Sequence, residues 1–401
     1  MRILLATSFI AICLLSQTTT QSAEQEDRGW GYQISELPDG VIYARVFRRT
    51  SSEEGLSIER FGYDDSLNEV EELHIVGEGY VPGYVVELFR NAPALTKLYL
   101  NGTMIGPGFL EVFSESKTLE EMLFYNYPAC RLDLGPLCSF TCSLKELFIS
   151  GDAEIYFTSE EENPDIPCLV TLTSLIVRDD VVTYGEFLAE IAQMEELKFL
   201  ALESPGIHWD FSEITQLKKL EYLSLEGTEH GDDLAQLLKD LPRLMFLNLS
   251  NTRITDKGLA YISEVTSLKV LYLAQNYLTV EGLSHLSRLQ GLLDLNLAEV
   301  PVGDDIIPII NSLPELQQAW LGFTFITDEG LLSLSESKSL EALLVGSSRG
   351  KCLYIPASPS ALAELNERMG GRLVEHYISV DWKSESNEND EVNPSFHYLP
   401  E

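Results

Sequence analysis

LMFLNLSNTRITDKGLAYISEVTS, residues Leu244 to Ser267, changes its periodicity twice within 24 residues. Behind Leu244, Leu247 and Leu249 alternate with Phe246 and Asn248, the pattern of a short strand that buries every second side chain. Asn251-Thr252 turns the chain and Ile254 returns to the core. Leu259, Ile262 and Val265 then recur at helical spacing behind Thr255-Asp256. A Thr or Asp before such a run offers a side-chain oxygen to the unpaired amides of a first helical turn. The stretch therefore predicts a strand, a turn and a helix.

The opening phrase, apolar-x-x-apolar-x-apolar, starts again at Leu220, Leu268, Leu292, Leu316 and Leu340, so that five successive gaps are each 24 residues. Upstream it starts at Val70, Leu95, Leu119, Leu144, Leu172 and Leu197, with gaps of 23 to 28 residues, giving twelve repeats. The phrase at Thr255 returns as TVEGL at Thr279 and TDEGL at Thr327, with looser forms at Gly231 and Gly303. The half-dozen apolar anchors of one unit bury too little surface to offset the entropy of ordering its backbone. Such units fold only as a stacked array.

A 24-residue period carrying L-x-x-L-x-L marks leucine-rich repeats, and residues 70 to 345 resemble that superfamily. Leu244 to Leu259, Leu268 to Leu283 and Leu316 to Leu331 resemble the ribonuclease-inhibitor-like or cysteine-containing type. The T-D-x-G-L phrase looks like that of many secreted bacterial repeat proteins. The resemblance implies an α/β solenoid, a right-handed horseshoe of about twelve repeats with a parallel concave sheet and convex helices. It also implies a protein-binding role and does not imply an enzyme; the expectation is of a chain that is not one. The ninth phrase position, often Asn or Cys in the family, is Thr103, Thr228, Thr252, Asn276, Thr324 and Ser348 but departs at Tyr127, Asp180, Pro205 and Val300.

The flanks differ in composition. Residues 1–23 carry Arg2, an apolar run from Ile3 to Leu15 and a small-residue end, which reads as a secretory signal; the run is too short to span a bilayer. Residues 24–65 read as an N-terminal cap, 66–350 as the solenoid, 351–382 as a C-terminal cap and 383–401 as an acidic flexible tail. The expected location is extracellular or periplasmic, without membrane insertion. The formal charge of −36 becomes −37 when Arg2 leaves with the signal. Such a surface repels a phosphate backbone and excludes nucleic acid as a partner class.

In each phrase positions four and six point inward, while three, five and seven face the concave side. Phe199, Tyr222 and Phe246 at position three, with Tyr272 and Trp320 at position five, then form an exposed aromatic ladder bordered by Glu203, Glu226 and Asp294. Tyr and Trp dominate interface hot spots. The ladder predicts capture of a protein or peptide, against the plainer reading of cross-strand packing that stiffens the sheet. An extracellular glycan is the alternative partner. Lys97, Glu121, Glu146 and Arg178 give the N-terminal half a more charged zone, with His74 as its concave histidine.

Cys130, Cys138, Cys142 and Cys168 cluster in the irregular repeats and, in a secreted chain, read as two disulfides with three pairings open. Stacking favours Cys142 with Cys168, leaving Cys130 with Cys138; spacings of 8, 4 and 26 match no common zinc motif. Asp232-Asp233, Asp256, Asp304-Asp305 and Asp328 precede helices, which suits capping rather than calcium, since no Asp-x-Asp-x-Asp-Gly loop accompanies them. No metal or cofactor is implied, and no nucleophile, phosphate-loop or dinucleotide signature is present. Asn101-Gly-Thr and Asn248-Leu-Ser match the glycosylation pattern but fall on the concave face, as chance matches.

Overall fold

The computed structural model describes residues 30–373 apart from 37–40, 49–67, 82–86, 88, 91, 107, 114–115, 130, 139–143, 157–168, 184–186, 205–210, 346–357 and 372. Each of the twelve phrases opens a strand: β3 (Glu72–Tyr80), β4 (Lys97–Met104), β5 (Glu121–Tyr127), β7 (Glu146–Gly151), β9 (Ser174–Arg178), β11 (Phe199–Glu203), β12 (Tyr222–Ser224), β13 (Phe246–Asn248), β14 (Val270–Tyr272), β15 (Asp294–Asn296), β16 (Gln318–Trp320) and β17 (Ala342–Leu344). They lie side by side in chain order and all are parallel. Ahead of them β1 (Trp30–Glu36) pairs antiparallel with β2 (Ile42–Arg48), and β2 joins β3 in parallel. The result is an open 14-stranded sheet.

The register is fixed by the repeat length. Tyr222, Phe246, Val270, Asp294, Gln318 and Ala342 stand opposite one another across six strands. Positions four and six, such as Leu223, Leu225, Leu247 and Leu249, are fully buried in a core that runs the length of the coil. The backbone must then turn a corner, and position eight adopts positive φ at Gly102, Asn126, Gly151, Asn251 and Gln275. Gly151 is required for a second reason: a Cβ there would lie 2.2 Å from the Tyr127 carbonyl oxygen.

Position nine closes the corner. Thr228, Thr252 and Thr324 each donate to the carbonyl three residues back, at 2.6–2.8 Å. Asn276 does more: its Oδ1 accepts from the amides of Thr252 and Ile254 in the previous repeat, and its Nδ2 donates to Leu249 and Leu273. Where the family pattern departs, Tyr127 is buried and its hydroxyl accepts from the Ile105 amide at 3.2 Å, so a longer side chain makes the same inter-repeat link. Val300 simply fills the core.

The convex side is less uniform than the expectation of helices throughout. Short helices α1 (Gly135–Cys138), α2 (Phe187–Ala192), α3 (Gly231–Ala235), α4 (Asp256–Ile262), α5 (Val280–Leu283), α6 (Ile307–Asn311) and α7 (Asp328–Ser333) are mixed with 3-10 turns. In the repeats opened by β5, β7 and β9 the chain first forms β6 (Arg131–Asp133), β8 (Glu154–Tyr156) and β10 (Val182–Thr183), a second parallel sheet of three strands, with α1 and α2 following β6 and β10. Leu132 and Leu134 on one turn, and Ala153 and Ile155 on the next, alternate into the core there, the period of a strand rather than a helix. Past β17 the helix α8 (Pro359–Arg368) is followed by Gly370 and Gly371, both at positive φ.

The acids expected to cap their own helices act across repeats. Thr255 caps α4 itself, accepting from the Lys257 amide. The Asp232 carboxylate of the preceding repeat accepts from the Thr255 amide (2.9 Å), the Thr255 hydroxyl (2.6 Å) and the Gly258 amide (3.0 Å). Asp256 holds Thr279, Asp304 holds Thr327 and Asp328 holds Ser358 through the same amide and hydroxyl pair. These carboxylates are thereby committed to neighbouring chain.

Candidate partner-binding face

Opposite the leucine core, positions three, five and seven of the strands line the concave face. Phe199 and Tyr222 stack with centroids 3.7 Å apart and planes at 12°; Tyr222 and Phe246 follow at 3.9 Å and 11°. At the next rung position three is Val270, and the ladder crosses to position five: Phe246 meets Tyr272 edge-on at 5.2 Å, and Tyr272 faces Trp320 at 6.3 Å across the intervening Asn296. All five rings predicted for the ladder thus touch in sequence. They are not freely exposed, however. Phe199, Tyr222, Phe246 and Trp320 are half-buried, and Tyr272 is only 5% exposed because its ring is covered by its neighbours on the same face.

The three predicted bordering acids occupy different settings. Arg178 donates to Glu203 at 2.5 Å and the Ser224 hydroxyl donates to the same carboxylate, while Asn248 donates to Glu226 at 2.9 Å. Asn248 is itself buried, as a chance glycosylation match would be. Asp294 lies within the ladder rather than on its border, 4% exposed. Its Oδ2 accepts from the Tyr272 hydroxyl at 3.1 Å. Its Oδ1 and the buried Trp320 indole nitrogen that faces it stop short of a hydrogen bond. Burial pushes the Asp294 carboxyl up to about 6, against the opposing pull of Tyr272 and Trp320.

The N-terminal half of the face combines charge with rings, the expected concave His74 among them. His74 lies 4.3 Å from Tyr99, and Tyr125 lies 4.6 Å from Phe148. The strand pattern does not single out Tyr99 and Phe148 at position five or Tyr125 at position seven, although both positions face the concave side. Lys97 bridges Glu72 at 3.8 Å and Glu121 at 3.2 Å, and the His74 ring contacts Glu72. Burial and the nearby Glu121 raise the Glu146 carboxyl, and burial with Glu72, Glu121 and Glu146 raises the Tyr99 phenol. Beside the concave face, position ten exposes Tyr277 (81%) and Phe325 (60%) on the rim, a feature the strand pattern does not foretell.

Cys130, Cys142 and Cys168 lie outside the described residues, as do the side chain of Cys138, segments 1–23 and 383–401. Among the described residues no helix is long and apolar enough to cross a membrane.

An internalin of Listeria monocytogenes superposes on this chain with a TM-score of 0.53 at 19% identity, covering 79% of this chain and 89% of its own. The fold is a leucine-rich repeat solenoid. A leucine-rich repeat protein of Leptospira interrogans is also similar, at 16% identity and a TM-score of 0.46, covering 78% of this chain and 91% of its own. No family model matches the solenoid, and no curated protein matches its sequence.

Proposed function

We infer that this chain is a secreted, non-catalytic scaffold that captures a protein or peptide partner on its concave face. The observation that carries the reading is the unbroken contact of five rings, Phe199 to Trp320, on the face turned away from the core. Cross-strand packing accounts for the contacts between the rings but not for placing them on the hollow side of an open solenoid, where apolar surface is otherwise uncommon. Secretion rests on residues 1–23, and the ribonuclease-inhibitor-like assignment rests on the T-D-x-G-L phrase.

The stacking also discriminates between partner classes. A sugar binds an aromatic side chain through an open ring face, whereas Phe199, Tyr222 and Phe246 already spend faces on one another at 3.7 and 3.9 Å. Their edges remain, beside polar rungs in which Glu203 is bonded to Arg178 and Glu226 to Asn248, a mixture suited to a polypeptide. The test is capture from the native secretome by the immobilised chain, compared with a Tyr222→Ala, Phe246→Ala variant and accompanied by a glycan array. Loss of one protein band in the variant supports the reading. Undiminished capture removes the concave face from the account, and strong array signals transfer it to the glycan alternative.

A further inference from the structure

The C-terminal half of the concave face is short of cations. From β11 to β17, positions three, five and seven hold Glu203, Glu226 and Asp294 but neither lysine nor arginine. Glu203 is paired with Arg178 from the preceding strand, and Glu226 accepts from Asn248. Asp294 has no such relief. It is almost wholly buried, one oxygen takes the Tyr272 hydroxyl, and the other has no donor at bonding geometry although the Trp320 indole nitrogen faces it. The groups acting on it from the flanking strands are Tyr272 of β14 and Trp320 of β16; no charged side chain is among them. A desolvated carboxylate without a counter-charge is costly, and buried charges are ordinarily paired.

The surroundings fit a specific complement. Tyr272 and Trp320 stand two strands apart, yet lean to within 6.3 Å over Asn296, whose own Oδ1 is turned to the Ala298 amide. Aromatic faces beside a carboxylate attract a guanidinium or ammonium group through the ring quadrupole and the charge together. We propose that Asp294, Tyr272 and Trp320 form a pocket for one cationic side chain, arginine or lysine, of the polypeptide held on the concave face. This rests on the reading of that face as partner-binding and adds the chemistry of an anchor. Trp320, the more accessible of the two rings, is the side from which the cation approaches. Binding of the cation holds Asp294 ionised, so that complex formation releases its proton where it is protonated beforehand.

The pocket is tested by fluorescence anisotropy on the full chain with two labelled hexapeptides, one carrying a single arginine between apolar residues and a twin carrying neutral citrulline at that place. The arginine peptide is expected to bind at least tenfold more tightly at pH 7.5. That preference shrinks as the pH falls through about 6, where Asp294 takes up its proton. It collapses to less than twofold in Asp294→Asn and survives in Glu299→Gln, which removes an exposed acid off the concave face. Melting curves establish that both variants fold. Equal binding of the two peptides, an unchanged preference in Asp294→Asn, or no measurable binding of either peptide overturns the pocket. If both peptides bind equally and both weaken in Tyr222→Ala, the pocket falls while the partner-binding face stands.

Discussion

Asp232 and Gly258, 26 residues apart, share one site: the carboxylate Oδ1 accepts from the Gly258 amide at 3.0 Å and lies 2.4 Å from where a Cβ on residue 258 would sit. The same exclusion holds for Asp256 with Gly282 and for Asp304 with Gly330, each at 2.0 Å. This decodes the T-D-x-G-L phrase. Threonine, at 255 and 327, caps its own helix and is gripped from behind, aspartate grips the next repeat, and glycine leaves room for the previous aspartate. The exception follows the same rule: Val280 stands in the aspartate position, and the next repeat has Gly303 for threonine and Ile306 for glycine.

Gly330→Ala should therefore destabilise the chain by about 1–3 kcal/mol, although alanine is otherwise favoured over glycine in a helix by roughly 1 kcal/mol. The added methyl displaces Asp304 from Thr327. Asp304→Ala alone forfeits the same two hydrogen bonds. A double-mutant cycle by urea denaturation should find the combined variant well short of additive, since the two changes break one contact. Full additivity would show that the contact carries no energy.

Asp294 predicts an unusual pH profile. Its folded value of about 6 lies above the ordinary 3.8, so the folded chain binds the proton more tightly than the unfolded one. The stability this supplies is fully present below about pH 4 and is lost as pH rises through about 6. Asp294→Asn should flatten that decline and leave the variant more stable than the parent at pH 8, by about 1–3 kcal/mol. Thermal unfolding of both proteins between pH 4 and 8 reads it directly; a constant difference across that range would rule it out.

Asn276 and Thr252 occupy the same repeat position with different reach. Asn276→Ala removes the acceptor of the Thr252 and Ile254 amides and a donor to the Leu249 and Leu273 carbonyls, of which Leu249 keeps the Thr252 hydroxyl. That should cost about 2–4 kcal/mol. Thr252→Val removes one hydrogen bond inside its own turn, at roughly 1 kcal/mol. Denaturation midpoints that rank the two in the opposite order would contradict the inter-repeat role given to the amide.

Adjacent residues on β13 separate the two faces of the sheet. Leu247 is fully buried in the core, so Leu247→Ala should cost about 3–5 kcal/mol. Phe246 is half-buried between Tyr222 and Tyr272, and Phe246→Ala should cost appreciably less while weakening partner capture. Chemical denaturation together with the capture assay distinguishes them.

The strands, their order and the inward leucines were legible because burial repeats every 24 residues and a side-chain period of two admits one register. The inter-repeat grip was not, because each helix start read alone looks like a cap, and Asp232 finds Thr255 only once repeats are stacked. Its signal was nevertheless present, in the joint loss of Asp, Thr and Gly at Val280, Gly303 and Ile306. The convex strands β6, β8 and β10 escaped notice because each is three residues or shorter and lies in repeats of unequal length. On the concave face the sequence identifies which rings share a side but not that they cover one another. Hence Tyr272 and Asp294 are buried where exposure was expected.

Val280 and Gly303 mark the one junction from Asp232 to Ser358 where no carboxylate spans the outer rim. The helix starts are accordingly riveted in two groups, while the repeats between them are joined by the strand ladder, by Tyr272 with Asp294 and by Lys269 with Glu315. At that junction the outer edge of the coil relies on the shared leucine core rather than on a carboxylate tie, and a polar link between the same two repeats lies instead on the concave side, from Tyr272 to Asp294.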